Sequence, residues 1–147
     1  MPVVFSRACE YALRALFEMA RHPEQENWTV QELARRTDTP APFLAKTFQL
    51  LVKGEVLNSS KGRMGGFTFM RKPDKITLME VVDIIDGPSL SKDCALGLPS
   101  CNEKDPCFFH SYWKGIRETI MAALRNESLV KVAREKKSPR KLLNRKL

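Results

Sequence analysis

The feature that most constrains the fold is a series of helix and strand signals between residues 29 and 70. Thr29 stands where a helix N-cap is expected, and Glu32 follows three residues later, as in a capping box. In the turn TDTP, Thr39 is the expected N-cap and Pro40 the first residue of an amphipathic helix that runs to about Lys53, where Gly54 favours its end. The sequence VLNSSKGRMGGFTFM then predicts a strand, a glycine-rich turn and a returning strand. This stretch therefore predicts a helix-turn-helix followed by a β-hairpin wing.

Three further helices are predicted outside this stretch. The first covers residues 6 to 21 with Ser6 as its N-cap, and another follows Thr77, with Glu80 three residues later. A C-terminal helix carries one apolar stripe, formed by Trp113, Ile116, Ile120 and Leu124. The predicted fold class is mainly α with a small β-hairpin wing, that is, a winged helix-turn-helix plus a long C-terminal dimerisation helix.

The chain length and the charge distribution limit the organisation further. A chain of 147 residues suits one ordinary domain, or a small domain with an extension. We expect a DNA-binding unit over 1–75, a cysteine loop with dimerisation helices over 76–130, and a basic tail over 131–147. The net charge is +8: the tail carries +7, residues 40–72 carry +5, and the rest of the chain carries −4. The tail is expected to be a solvated end, so the segment 40–72 is the informative one.

No apolar run approaches the ~18 to 20 residues needed to cross a bilayer. Glu10, Arg14 and Glu18 interrupt the apolar part of the N-terminal segment, which argues against an export signal. We therefore expect a soluble cytoplasmic protein, in which a reducing environment disfavours structural disulfides.

The second predicted helix of the helix-turn-helix has one apolar and one outward face. Leu44, Phe48, Leu51 and Val52 share the apolar face. The other face presents Lys46 and Gln49 as base-edge candidates, with Pro42 and Ala45 allowing close approach to a major groove. At the hairpin, Ser60, Lys61 and Arg63 are candidates for contacts with phosphates or the adjacent minor groove. The alternative is a small α+β domain with a solvated basic hairpin.

Three cysteines, Cys94, Cys101 and Cys107, fall close together and are followed by His110. Soft thiolates of this kind can chelate an iron–sulfur cluster or zinc, but the spacing matches no standard zinc finger and includes no CxxC pair. The residues alone leave open a metal centre, inert thiols or redox-active thiols. Cys9 is interpreted as a buried helical residue with no assigned role. Because no catalytic motif is present, the chain is not expected to be an enzyme.

The chain resembles the Rrf2 family of winged-helix repressors. The resemblance rests on EYALRALFEMA, on TVQELARRTDTPAPFLAKTFQLLVKGEVLNSSKGRMGGF, on ITLMEVVDIIDG and on the cysteine segment ending in PCFFHSYW, and it covers residues 5 to about 130. It implies a homodimer in which the C-terminal helix of each subunit crosses its partner. It also implies a repressor that binds a pseudo-palindromic DNA operator.

In several members of that family the matching cysteines bind an iron–sulfur cluster. The resemblance therefore implies that Cys94, Cys101 and Cys107 hold a 2Fe-2S or 4Fe-4S cluster that senses redox state, nitric oxide or iron–sulfur status. The fourth ligand is either His110 or Glu10 of the partner subunit, since different members use a histidine or a carboxylate at these places.

Three alternatives stay open at this stage. One is a transcription regulator without a cluster, which responds through thiol oxidation or through a small ligand. Another is an iron–sulfur or zinc module that docks on a protein through the apolar stripe. The third is an electron carrier, whose cluster would cycle without affecting DNA binding.

Overall fold

A computed structural model describes residues 4–135 of the chain. It contains seven α-helices and one two-stranded antiparallel sheet within those residues. The elements in chain order are α1 (Arg7–Arg21), α2 (Val30–Thr37), α3 (Ala41–Lys53), β1 (Leu57–Ser60), β2 (Gly66–Phe69), α4 (Leu78–Asp86), α5 (Ser89–Lys92), α6 (His110–Asn126) and α7 (Leu129–Glu135), with one short 3₁₀ turn at Pro73–Lys75. The predicted fold class, mainly α with a small β-hairpin wing, is confirmed.

Side-chain caps fix the start of three helices. The Ser6 hydroxyl accepts a hydrogen bond from the backbone N–H of Cys9, at 3.1 Å. Thr77 and Glu80 form both halves of a capping box at the start of α4. The Thr29 hydroxyl caps α2 by accepting from the backbone N–H of Glu32. The second bond of the predicted capping box, from the Thr29 N–H to the Glu32 carboxylate, is not formed, because that carboxylate binds Gln25 and Arg36. The predicted N-caps of these three helices are thus confirmed.

The turn between α2 and α3 differs slightly from its prediction. Thr39 was expected to cap α3, but its hydroxyl is buried and lies 3.0 Å from the Thr37 hydroxyl. The helix begins at Ala41, directly after Pro40, without a side-chain cap. Asp38 has a left-handed backbone, which ends α2 and turns the chain sharply into α3.

The wing is attached firmly to the helix-turn-helix. Strands β1 and β2 pair from Leu57 with Phe69 to Ser60 with Gly66. The backbone of Trp28, just before α2, adds a further pair of hydrogen bonds to Phe67, of 2.7 and 2.9 Å. The Phe67 ring also packs edge-on against Phe48 of α3. The wing and α3 therefore form one relatively fixed surface.

Two helices were not anticipated by the sequence reasoning. The short α5 follows Gly87 and Pro88, where only a loop was expected. Helix α7 contains residues 131–135, the beginning of the segment predicted to be a solvated basic tail. It packs against α1, and Ala133 is only 2% exposed. The remainder of that predicted tail, 136–147, lies outside the described residues.

The buried apolar side chains form one cluster that extends from Cys9 in α1 to Ala133 in α7. It draws on residues of both predicted units, 1–75 and 76–130, because α4 packs against α1 and α3, and α7 packs against α1. Over residues 4–135, no helix is both long and apolar enough to cross a membrane.

Candidate DNA-binding surface and cysteine loop

The two faces of α3 are separated as the sequence predicts. Leu44, Phe48 and Leu51 are fully buried, and Val52 is half-buried against them. On the opposite face Pro42, Lys46 and Gln49 are exposed, whereas Ala45 is half-buried. The surface of α3 away from the core therefore offers the Lys46 cation and the Gln49 amide, with Pro42 and Ala45 beside them.

The wing adds two cations to this surface. Ser60, Lys61 and Arg63 are all exposed, with the two basic residues in the turn that joins β1 to β2. A cation at the end of a narrow hairpin can reach a phosphate or a minor groove, which a helix cannot enter. The candidate DNA-binding surface consists of Pro42, Ala45, Lys46, Gln49, Ser60, Lys61 and Arg63.

Sequence reasoning missed Phe43 on α3. Its side chain is 55% exposed, and its ring meets the Tyr11 ring of α1 edge-on, with 6.1 Å between centroids. An apolar residue in an amphipathic helix is ordinarily assigned to the core, but Phe43 precedes the exposed Lys46 by three positions and therefore lies on the same side of the helix. The three-residue spacing between Phe43 and Lys46 could therefore have identified Phe43 as a surface residue.

The cysteine loop places Cys101 and His110, two of the predicted ligands, in contact. The Cys107 and Cys101 side chains also lower the pKa of the Cys94 thiol. The sulfur of Cys101 is 3.4 Å from Nδ1 of His110, which is the first residue of α6, and 3.9 Å from a guanidinium nitrogen of Arg117. All four cysteines of the chain, Cys9 included, are free thiols.

Two contacts hold the loop against α6. The indole N–H of Trp113 in α6 donates to the carbonyl of Asp93, at 3.0 Å. Glu103 forms an ion pair with Lys114, also in α6. The Asn102 side chain accepts hydrogen bonds from the backbone N–H groups of residues 104 and 105, which closes a local turn.

The electrostatic environments of the cysteines differ strongly. Backbone N–H groups of Leu96 and then Leu98 stabilise the thiolate of Cys94 and lower its pKa below the ordinary 9.0. Burial raises the pKa of Cys9 far above that value, and the nearby carboxylates of Asp86 and Glu10 raise it further. The Cys94 thiol therefore ionises more readily than an ordinary thiol, and the buried Cys9 thiol less readily.

The two candidates for a fourth ligand are placed differently. His110 is 8% exposed, with Nδ1 toward Cys101, while its buried Nε2 has no hydrogen-bond partner among the described residues. Glu10 is half-buried in α1, and its carboxylate lies 3.6 Å from the Arg7 guanidinium. Of these two candidates, His110 is the one with a contact to a loop cysteine within residues 4–135.

A short helix-turn-helix whose second helix is joined to a basic hairpin is the architecture of a winged-helix DNA-binding protein. The chain also matches, over residues 5–135, the model of the Rrf2 family, described as iron-dependent transcriptional regulators. It belongs to that family. Since the family consists of transcriptional regulators, the prediction that the chain is not an enzyme is confirmed.

Individual relatives agree with this assignment. An HTH-type transcriptional regulator from Aquifex aeolicus is 33% identical over 120 residues, which cover 80% of this chain and 83% of the relative. The structure of CymR (YrzC), the global cysteine regulator of B. subtilis, superposes with a TM-score of 0.76 at 18% identity, covering 92% of this chain and 99% of CymR. T. potens IscR superposes with a TM-score of 0.70 at 20% identity, covering 92% of this chain and 88% of the IscR chain.

Proposed function

We propose that this DNA-binding regulator acts as a cytoplasmic homodimeric repressor on a pseudo-palindromic operator. Two copies of α3 would enter successive major grooves about one helical turn apart. Lys46 and Gln49 would reach base edges, since both are exposed, and Pro42 and Ala45 leave room for close approach. Ser60, Lys61 and Arg63 of the wing would contact phosphates or the adjacent minor groove.

The exposed side of α6 supports the dimer. Along its apolar stripe, Leu124 is buried and Trp113 and Ile120 are half-buried, but Ile116 is 48% exposed. Tyr112 beside it is 67% exposed. A second copy of α6 would cover this apolar surface. Sedimentation of Ile116→Glu should show a monomer where the wild type is a dimer, and an unchanged dimer would contradict this interface.

We also propose that Cys94, Cys101 and Cys107 hold an iron–sulfur cluster, of 2Fe-2S or 4Fe-4S type, to which the DNA affinity responds. The observation that carries this proposal is the contact of 3.4 Å between Cys101 Sγ and His110 Nδ1, in the same loop as the Cys94 and Cys107 thiols. The family's description as iron-dependent is consistent with it.

The donor set suits such a group. Three soft thiols and one imidazole nitrogen are ligands that iron–sulfur clusters accept. Within residues 4–135, no three donor side chains are already arranged around a single ion position. Binding would therefore order the loop. The fourth ligand would be His110 or Glu10 of the partner subunit, and the contact of His110 with Cys101 favours the former.

When bound, the cluster would supply a centre that oxygen or nitric oxide can damage and that iron shortage leaves unassembled. The presence or absence of the cluster would be transmitted to the rest of the protein through the helices at the two ends of the loop. The loop follows α4 and α5 and leads into α6. Coupling requires that the forms with and without the cluster bind the operator with different affinities. Equal affinities would refute a sensor role.

The first test is the absorption and Mössbauer spectra of protein purified without oxygen. Cys101→Ala should abolish the thiolate-to-iron absorption, whereas Cys9→Ala, at a buried cysteine outside the loop, should retain it. His110→Ala and Glu10→Ala, compared in the same way, would identify the fourth ligand. A colourless protein that resists reconstitution would refute the cluster and leave the DNA-binding assignment unchanged.

A regulator without a cluster is the second candidate, and two observations favour it. The lowered pKa of Cys94 next to two other thiols suits a redox switch. In addition, a cleft of about 630 Å³ lies beside Cys94, lined in part by Ser6, Asp86 and Trp113. Its size is that of a small-molecule site. Peroxide-dependent loss of DNA binding by the colourless protein, reversed by a thiol reductant, would support the redox form.

A further inference from the structure

The most exposed large apolar side chain among the described residues is that of Met64, at the tip of the wing. It is 87% exposed. A single exposed apolar residue is ordinary on a protein surface and needs no explanation by itself. Met64 differs from such a residue in two respects: its backbone is held by hydrogen bonds, and its neighbours Lys61 and Arg63 are cationic.

The backbone at the wing tip is fixed by several contacts. The N–H of Gly65 donates to the carbonyl of Gly62 at 2.9 Å, which closes the turn. The Asn27 side-chain amide donates to the carbonyls of Met64 at 3.0 Å and Gly65 at 3.2 Å. A Cβ on Gly65 would lie only 2.6 Å from the Ser60 carbonyl oxygen, so the tip is also tightly packed. Met64 therefore projects from a backbone tied to the residues before α2.

The charge around Met64 indicates what this tip meets. Lys61 and Arg63 are exposed on the same turn, and cations there attract the phosphates that flank a minor groove. The thioether of Met64 gains nothing from a phosphate. It can gain from an apolar surface, and in a duplex that surface is the stacked base step reached through the minor groove, where Met and similar residues serve as wedges.

We propose that Met64 is an apolar wedge that enters the minor groove and packs against a base step, with Lys61 and Arg63 holding the flanking phosphates. This proposal rests on the proposed placement of the wing against duplex DNA. The wedge gives the protein a preference at a position that no hydrogen-bonding side chain reads, since pyrimidine–purine steps unstack most easily.

The test begins with a duplex selected by the full-length wild-type protein from a randomised pool. 2-Aminopurine is then placed at the step that faces the wing. The Met64→Ala variant should bind this duplex about 5- to 30-fold more weakly with an unchanged salt slope, since no charge is lost. It should also lose the rise in 2-aminopurine fluorescence on binding. Met64→Leu, which preserves the apolar volume, should retain both properties.

Lys61→Ala separates failure of the wedge from failure of the wing placement. If Lys61→Ala lowers the salt slope by about one but Met64→Ala changes neither affinity nor fluorescence, the wing contacts DNA and the wedge is refuted. If neither variant has an effect, the placement of the wing is itself wrong. The exposure of both residues means that neither substitution removes core packing, and thermal unfolding of each variant checks this.

Discussion

Asp86, the last residue of α4, accepts a hydrogen bond at 2.9 Å from the backbone N–H of Ser6, the N-cap of α1. The Ser6 hydroxyl donates to the other carboxylate oxygen of Asp86 while it accepts from the N–H of Cys9. These contacts join residues eighty positions apart in the chain. They fix the start of α1 next to the point where the chain enters α5 and the cysteine loop.

Replacing Asp86 by Ala should lower the free energy of unfolding by roughly 1.5–3 kcal/mol, because the Ser6 donors then lose a charged acceptor in a partly buried place. Urea denaturation followed by circular dichroism measures the change. Asp83→Ala, at an exposed position on the same helix, is the control and should have little effect. Equal losses in the two variants would contradict a specific role for the Asp86–Ser6 contact.

Glu80 should make stability depend on pH. Partial burial alone would raise its pKa, but the Thr77 backbone N–H and the Arg71 guanidinium outweigh this and lower the pKa below 4.5. Because the folded pKa is the lower one, the stabilisation is present above pH 4.5 and is lost as the pH falls through the folded value.

The difference in urea midpoint between wild type and Glu80→Gln should therefore shrink on going from neutral to acidic pH. Glu26→Gln, at an exposed loop position, controls for the loss of one negative charge. A difference that stayed constant across this range would show that the carboxylate of Glu80 contributes nothing specific.

The cysteines of the cluster-free protein should react with iodoacetamide in a definite order. Cys94 should react first, because it is accessible and its thiolate forms at a lower pH than an ordinary thiol. Cys9 should react only on unfolding, since it is fully buried and its pKa is raised. Peptide mass spectrometry over time gives the order, and rapid labelling of Cys9 in the native protein would contradict it.

Gln49 and Lys61 should contribute to DNA binding in different ways. Gln49→Ala should cost about 1–3 kcal/mol on the preferred duplex and relax the preference at one base pair. Lys61→Ala should weaken binding to all sequences and reduce the salt slope by about one. Fluorescence anisotropy titrations at several salt concentrations separate the two effects, and Lys104→Ala on the cysteine loop serves as a charge control.

Local signals explain why much of the fold could be predicted from the sequence. Ser6 and Thr77 cap helices through bonds to residues three positions away, so their function is visible in the sequence itself. The wing likewise depends on a glycine-rich turn between two short strands. Such features do not require knowledge of distant residues.

Features that depend on distant contacts could not be predicted in this way. The segment that contains α7 is rich in lysine and arginine, and only its packing on α1 shows that Ala133 is a core residue. Phe43 was assigned to no surface, although it lies exposed beside Tyr11. At the cysteine loop the spacing suggested the ligands, but the 3.4 Å contact between Cys101 and His110 required the structure.

The packing of α7 on α1 also has a consequence for how the protein is made. Leu129 is completely buried, and its N–H donates to the carbonyl of Ile76, so the core around α1 is unfinished until this residue is available. At the usual rate of translation, on the order of ten seconds separate the synthesis of Leu16 from that of Leu129. Helix α1 is thus encoded early, but on the ribosome its packing is completed only after α7 has been synthesised.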